Sequence, residues 1–254
     1  MKTLKRIAAN KYLLTFLGVA LFFILWILIY FIAGANRTIF PDPSETISTM
    51  FEFLKDPYTY SCIAGSFERM LIGFSIASAL GILLGVIVGN LTKLKYVFNP
   101  TMIALKAIPT AALVFLFLML AGLKAAPIYI VMVIVFPIVY EATVAGYTSI
   151  DKDVLMSAQV DGATRVRSNV FIKFPLAMPT ITLGLISSFA LSFKIEIMAE
   201  VISGSSADGL GRAIQHSYED GLVPTFAYSL IAIIVVLLVS VILYFLKKIL
   251  KLKA

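Results

Sequence analysis

Histidine, cysteine and tryptophan each occur once in this chain of 254 residues, and charged side chains make up only 14% of it. Each scarcity excludes something. A lone cysteine, Cys62, permits no intramolecular disulfide and no cysteine metal cluster, and reads as a small buried hydrophobe rather than a reactive thiol. A lone histidine, His216, rules out an H-E-x-x-H site; it stands in a polar, glycine-rich stretch, 201–223, where an ordinary polar role outweighs a catalytic one. No aspartate falls inside an apolar run, so intramembrane proteolysis by paired aspartates has no residues to work with. Gly204 and Gly209 have the spacing of a phosphate loop, but Leu210 and Gly211 follow where lysine and serine or threonine are required. No ATP site is encoded, and no enzyme activity is expected of this chain.

What the chain has in excess is apolar sequence. Hydrophobic residues make up 60% of it, against roughly 45–50% in ordinary soluble domains. Runs near the roughly 20 residues needed to cross the hydrocarbon layer recur along it, so an integral membrane protein is expected. Six spans are read at about 13–33, 67–90, 102–122, 127–147, 176–199 and 224–246, in a single all-α transmembrane domain covering 1–254. The net charge of +7 does not imply nucleic acid, because the basic residues flank the apolar runs and form no single patch. Counting Lys and Arg beside the spans puts 14 on the side of the two termini and 4 on the other. Cytoplasmic flanks are enriched in such residues, so both termini and the segment 149–173 are expected to face the cytoplasm.

Several stretches have a local grammar. The first apolar run is 21 residues, longer than a signal-peptide core, and reads as a retained anchor. Ile47, Met50, Phe51 and Leu54 recur at helical spacing, suggesting an amphipathic helix at the interface. Gly73, Ala77, Gly81, Gly85 and Gly89 fall every fourth residue, a stripe that should let span two approach another helix closely. Glu68 and Arg69 at its outer end are expected to reach water. Pro109 interrupts the start of span three, and Pro137 lies within span four.

The longest water-compatible segment between apolar runs is 149–179. Ser149 or Asp151 can cap one short helix, about 151–161; Gly162 supplies a break, Thr164 can cap a second helix, and Pro175 limits its unkinked length. This segment resembles the cytoplasmic loop of bacterial ABC importer permeases, of the form E-A-A-x3-G-x9-I-x-L-P. Gly162, nine residues, then Ile172, Lys173, Phe174 and Pro175 match in spacing, whereas Met156, Ser157 and Ala158 stand where Glu, Ala and Ala are usual. Asp42-Pro43-Ser44, Lys106-Ala107-Ile108-Pro109, Phe193-Lys194 with Ala199-Glu200, and Gly209-Leu210-Gly211 together look like the nitrate/sulfonate/taurine branch of these type I importers.

The resemblance implies an importer permease subunit in a bacterial plasma membrane, conducting a small solute. Its partners would be cytoplasmic ATPases carrying ATP and Mg²⁺, a second permease subunit expected as a homodimer, and an extracytoplasmic binding protein. Met156, Ser157, Ala158, Asp161, Gly162, Arg165, Arg167, Ile172 and Pro175 would couple to the ATPase, against the plainer reading that the basic members snorkel to headgroups. At the outer end of span five, Lys194, Glu196 and Glu200 either line the mouth of the transport path or sit at headgroup level. Glu196 and Glu200 share a helix face, whereas Lys194 is about 200° round from Glu196. A secondary transporter and a structural membrane subunit are the alternatives.

Overall fold

Where no water can complete backbone hydrogen bonds, a segment must satisfy its own, and the described residues do so with helices. The computed structural model describes residues 11–36, 39–160, 164–204 and 208–249, and among them there is no strand. The helices are α1 Lys11–Ile32, α2 Pro43–Phe53, α3 Pro57–Asn90, α4 Lys95–Ala107, α5 Thr110–Thr148, α6 Lys152–Val160, α7 Arg165–Ser168, α8 Phe174–Ser203, α9 Leu210–Asp220 and α10 Leu222–Ile249. A 3-10 turn, Thr92–Leu94, precedes α4, and a π-turn, Asn169–Lys173, joins α7 to α8. Two compact units divide the chain, Met1–Thr59 with Ile214–Ile231 and Tyr60–Ala213 with Ala232–Ala254.

Among the described residues, four helical stretches are long and apolar enough to cross a membrane: Pro57–Asn90, Thr110–Thr148, Val166–Ser203 and Leu222–Ile249. A shorter apolar stretch, Ala20–Ile32, lies in α1. Residues 102–122, read from the sequence as one span, fall on two helices. Ile108 is extended (ψ 125°), as the residue before a proline tends to be, so α4 stops at Ala107 and α5 starts afresh after Pro109. Within α5, Gly122 takes φ 76° and ψ 174°, a conformation open to glycine, and the helix kinks there.

In the first unit, Asp42 caps α2, accepting from the Ser44 amide at 2.8 Å and the Glu45 amide at 3.4 Å. Met50 is buried on the expected face, while Phe51 is exposed and Phe53 stacks on Tyr228 at 4.3 Å between ring centroids. Trp26 is buried and donates its indole N–H to the Pro41 carbonyl at 3.3 Å.

The second unit is built on the small-residue stripe. Val131, Val135, Val139, Thr143 and Tyr147 form an every-fourth row on α5, all buried, and the α3 stripe lies against it. A methyl group built on Gly73 would sit 2.6 Å from the Ile128 carbonyl, and one on Gly81 would sit 2.9 Å from the Val139 Cβ. The other side of α5 packs on α8, where a Gly146 methyl would meet the Ala177 carbonyl at 3.0 Å. Ridges four residues apart meeting at small residues let the backbones close up, and dispersion contacts replace the hydrophobic drive that lipid does not supply.

Candidate functional site

Arg69 continues the α3 stripe one step outward, four residues before Gly73. That register points its guanidinium at α8, where Glu196 and Glu200, four residues apart, present both carboxylates on one face. Arg69 Nε lies 3.2 Å from Glu196 Oε1 and 3.2 Å from Glu200 Oε1, and Nη2 also pairs with Glu200 Oε1. Both glutamates are fully buried, and the arginine side chain is 12% exposed. The residues just before α9 and its first turn close the cluster. Arg69 Nη2 donates to the Asp208 carbonyl at 2.9 Å, and the Gly211 amide donates to Glu200 Oε2 at 2.9 Å. Ser66 Oγ donates to Glu200 Oε2 at 2.7 Å and accepts from the Leu210 amide at 2.8 Å. Gly209 is required by proximity: a methyl there would lie 2.6 Å from Glu200 Oε1.

Chemically this is a lock. One guanidinium sits between two carboxylates, and the second oxygen of Glu196 is buried with no hydrogen-bond partner. Lys194 does not join the cluster. It is exposed on another face of α8, in a cavity of about 360 Å³ lined by Ile197, Ala232, Ile233, Val236 and Leu237. The structure therefore brings Glu196 and Glu200 together and sets Lys194 apart. The expectation that Arg69 reaches water is corrected, since its stripe register buries it against α8, whereas Glu68 is exposed.

At the other end of α3, the 149–179 segment folds largely as its caps dictate. The Asp153 amide donates to Asp151 Oδ1 at 3.0 Å at the start of α6, and the Arg167 amide donates to Thr164 Oγ1 at 3.3 Å at the start of α7. Met156 is exposed on α6, and Ser157 Oγ donates to the Asp153 carbonyl at 2.9 Å. Ala158 and Arg165 have helical backbone, and Arg167 is exposed. Asp161 and Gly162 lie outside the described residues. Ile172 is half-buried and Pro175 exposed. Pro175 does not end the helix, because the π-turn before it widens the backbone and the Phe174 amide bonds five residues back to Asn169. Val154, Met156, Val160, Val166 and Phe171 all expose apolar side chains along this segment.

A polar joint ties this segment to α3. Asn90 Nδ2 donates to Asn169 Oδ1 at 2.9 Å, and Lys173 Nζ donates to Asn90 Oδ1 at 2.9 Å. Reading the sequence passed over Asn90, and took Arg69 only as a side chain reaching water. The signal for Arg69 was its place on the stripe; nothing in the sequence pairs Asn90 with residues 79 and 83 positions away.

Membrane helices joined through a charged, capped segment also describe a known family. Residues 77–253 match the model of the binding-protein-dependent transport system inner membrane component. The chain belongs to this family. This permease is therefore the membrane subunit of an ABC transporter of the binding-protein-dependent kind, a transport component and not itself an enzyme. It is 24% identical over 205 residues to a probable ABC transporter permease of Brucella melitensis, covering 80% of this chain and 82% of that one. It is 26% identical over 227 residues to the nitrate import permease NrtB of Synechocystis, covering 84% and 80%. It is 23% identical over 186 residues to a putative aliphatic sulfonates transport permease of Bacillus subtilis, covering 73% and 67%. A structure of the MetNI methionine ABC transporter, in an inward-facing conformation, superposes at TM-score 0.60 with 18% identity, over 75% of this chain and 93% of that one. That last likeness establishes a shared fold.

Proposed function

We propose that this permease lines the translocation path for a small solute delivered by an extracytoplasmic binding protein. ATP and Mg²⁺ bind a separate cytoplasmic ATPase, and a second permease subunit, as a homodimer, completes the path. The chain then crosses the membrane six times with both termini cytoplasmic: α1 and α10 carry the outer two crossings, and the chain on either side of Gly122 carries separate ones. Family membership supports this arrangement, as does the charge asymmetry of the flanks.

The observation that carries the coupling role is the apolar strip on α6. Met156 and Val160, four residues apart on one helix face, are exposed on a segment between two helical stretches long enough to span. Exposed apolar groups clustered beside polar ones mark a docking surface for a protein. In this reading Met156, Ser157, Ala158, Asp161, Gly162, Arg165 and Arg167 face the ATPase, and Ile172 and Pro175 carry its movement into α8. The departures from the family's usual Glu-Ala-Ala make the contact at Met156 apolar instead of ionic. Glu196 and Glu200, locked by Arg69, hold the outer end of the path in shape, while Lys194 faces the apolar cavity.

The test is co-purification in detergent with the chain tagged. Wild type is expected to retain an ATPase subunit, and Met156→Asp, which places a charge in the strip, to lose most of it while eluting as a folded species. Wild type retaining no ATPase even after crosslinking would overturn the coupling role and favour a secondary transporter.

A further inference from the structure

The face of α5 turned away from the α3 stripe carries a feature that packing does not explain. Lys106 Nζ lies 2.6 Å from Glu141 Oε1 and 2.8 Å from Oε2, and yet the two side chains remain 42% and 45% exposed. A second polar rung lies beside it, where the Tyr140 hydroxyl donates to Asn99 Oδ1 at 3.2 Å. Below these rungs is a cavity of about 330 Å³ whose polar lining comes from Lys95, Asn99, Tyr140, Glu141 and Thr148. Lys95, Asn99 and Lys106 fall on one side of α4, and Glu141 and Thr148 on one side of α5, so a seam of polar groups, interrupted by Ile103, Val144 and Ala145, runs between the two helices.

Depth gives the seam its meaning. Lys95 and Thr148 line the same cavity near the ends of their helices. From that level, Glu141 lies seven residues along α5, about 10 Å, and Lys106 eleven residues along α4, about 16 Å. Glu141 thus falls inside the stretch Thr110–Thr148, which is long and apolar enough to span. Charged groups in such stretches face water or another protein surface and not lipid tails. The seam's polar rungs and cavity select water, because a dry protein contact would leave the open lone pairs of Glu141 and the N–H groups of Lys95 unpartnered.

We propose that the α4–α5 seam is a water-filled arm of the solute path and that the Lys106–Glu141 pair bridges its inner end. A small hydrophilic solute passing this point exchanges its hydration for the ammonium and carboxylate groups. This assignment rests on the permease reading above and adds residues to it. Helix α4, stopped by Ile108 and Pro109, brings Lys106 to the last turn before the chain re-enters as α5.

The test uses the detergent-purified complex in a Cys62→Ala background, with single cysteines probed by a charged, membrane-impermeant thiol reagent. Glu141→Cys and Lys106→Cys are each expected to react at least tenfold faster than Ile242→Cys on the exposed apolar face of α10. Labelling of either position at that rate supports the seam, so that one variant failing to fold does not end the test. Both positions reacting no faster than the Ile242→Cys control, or forming a disulfide with a second copy in place of labelling, would overturn it. Co-purification of the ATPase is scored in the same samples. Loss of ATPase with fast labelling removes the ATP-driven reading and leaves a wet seam; retained ATPase without labelling removes this inference alone.

Discussion

Arg69 is asked to neutralise two carboxylates, and that imbalance decides how its neighbours respond to substitution. Removing the guanidinium leaves Glu196 and Glu200 fully buried without their counter-charge. Breaking a buried pair from one side costs about 3–5 kcal/mol, so Arg69→Ala is expected to lower the unfolding temperature in detergent sharply, read by fluorescence-detected size exclusion. Glu196→Gln should be tolerated, within about 1 kcal/mol, because Glu200 still holds the arginine and the Glu196 oxygen without a partner no longer shares a charge. Equal losses in the two variants would show that the charge accounting is mistaken. Gly73→Ala tests the stripe in the same assay. Its methyl group would stand 2.6 Å from the Ile128 carbonyl, and overpacking of that kind costs about 1–3 kcal/mol. Gly18→Ala, with nothing within 4 Å of the new carbon, should leave the melting curve where it was.

Between elements, the joints matter more than the helices. The π-turn at Asn169–Lys173 lets one helix continue through Pro175, and Asn90 clamps that turn to the end of α3. A push on α6 and α7 can therefore reach α3 as well as α8. Asn90→Leu removes both hydrogen bonds while keeping bulk. It is expected to leave ATPase binding within twofold of wild type but to cut the stimulation of ATP hydrolysis by the binding protein at least fivefold, whereas Asn90→Asp, which can still accept from Lys173, recovers most of it. Unchanged stimulation in Asn90→Leu would assign the joint to packing alone. At the other end of the chain, the Ser44 hydroxyl and the amides of Ser44 and Glu45 hold the Asp42 carboxyl below its usual 3.8, against a smaller opposing effect of burial. A carboxylate depressed in this way stabilises α2 at pH above its unfolded value and ceases to as pH falls through the folded one. Hydrogen-exchange protection of the first turn of α2, corrected for intrinsic rates, should fall below about pH 4 in wild type and stay level in Asp42→Asn.

For the whole molecule, what was legible in the sequence was whatever depends on local chemistry repeated along the chain. Apolar length marked a membrane protein, the resemblance carried by the 149–179 segment marked an importer permease, and the every-fourth stripe announced a close helix contact before any partner was visible. Asp151 and Thr164 announced helix starts because capping needs only residues two or three positions away. The seam at Lys106–Glu141 and the lock at Arg69 were not legible, since each joins side chains on helices far apart in sequence. The third expected span shows the same limit: hydropathy sees 102–122 as one apolar run, while the break after Ala107 depends on how Ile108 and Pro109 direct the backbone. The sequence by itself determined that this is a helical membrane protein with a long water-compatible segment at 149–179, because lipid permits few other ways to satisfy a backbone. Only the tertiary structure decided which charges meet. It placed Glu196 and Glu200 against Arg69, turned Lys194 away, and left Lys106 and Glu141 half-open, because a helix face commits a side chain to a direction but not to a partner.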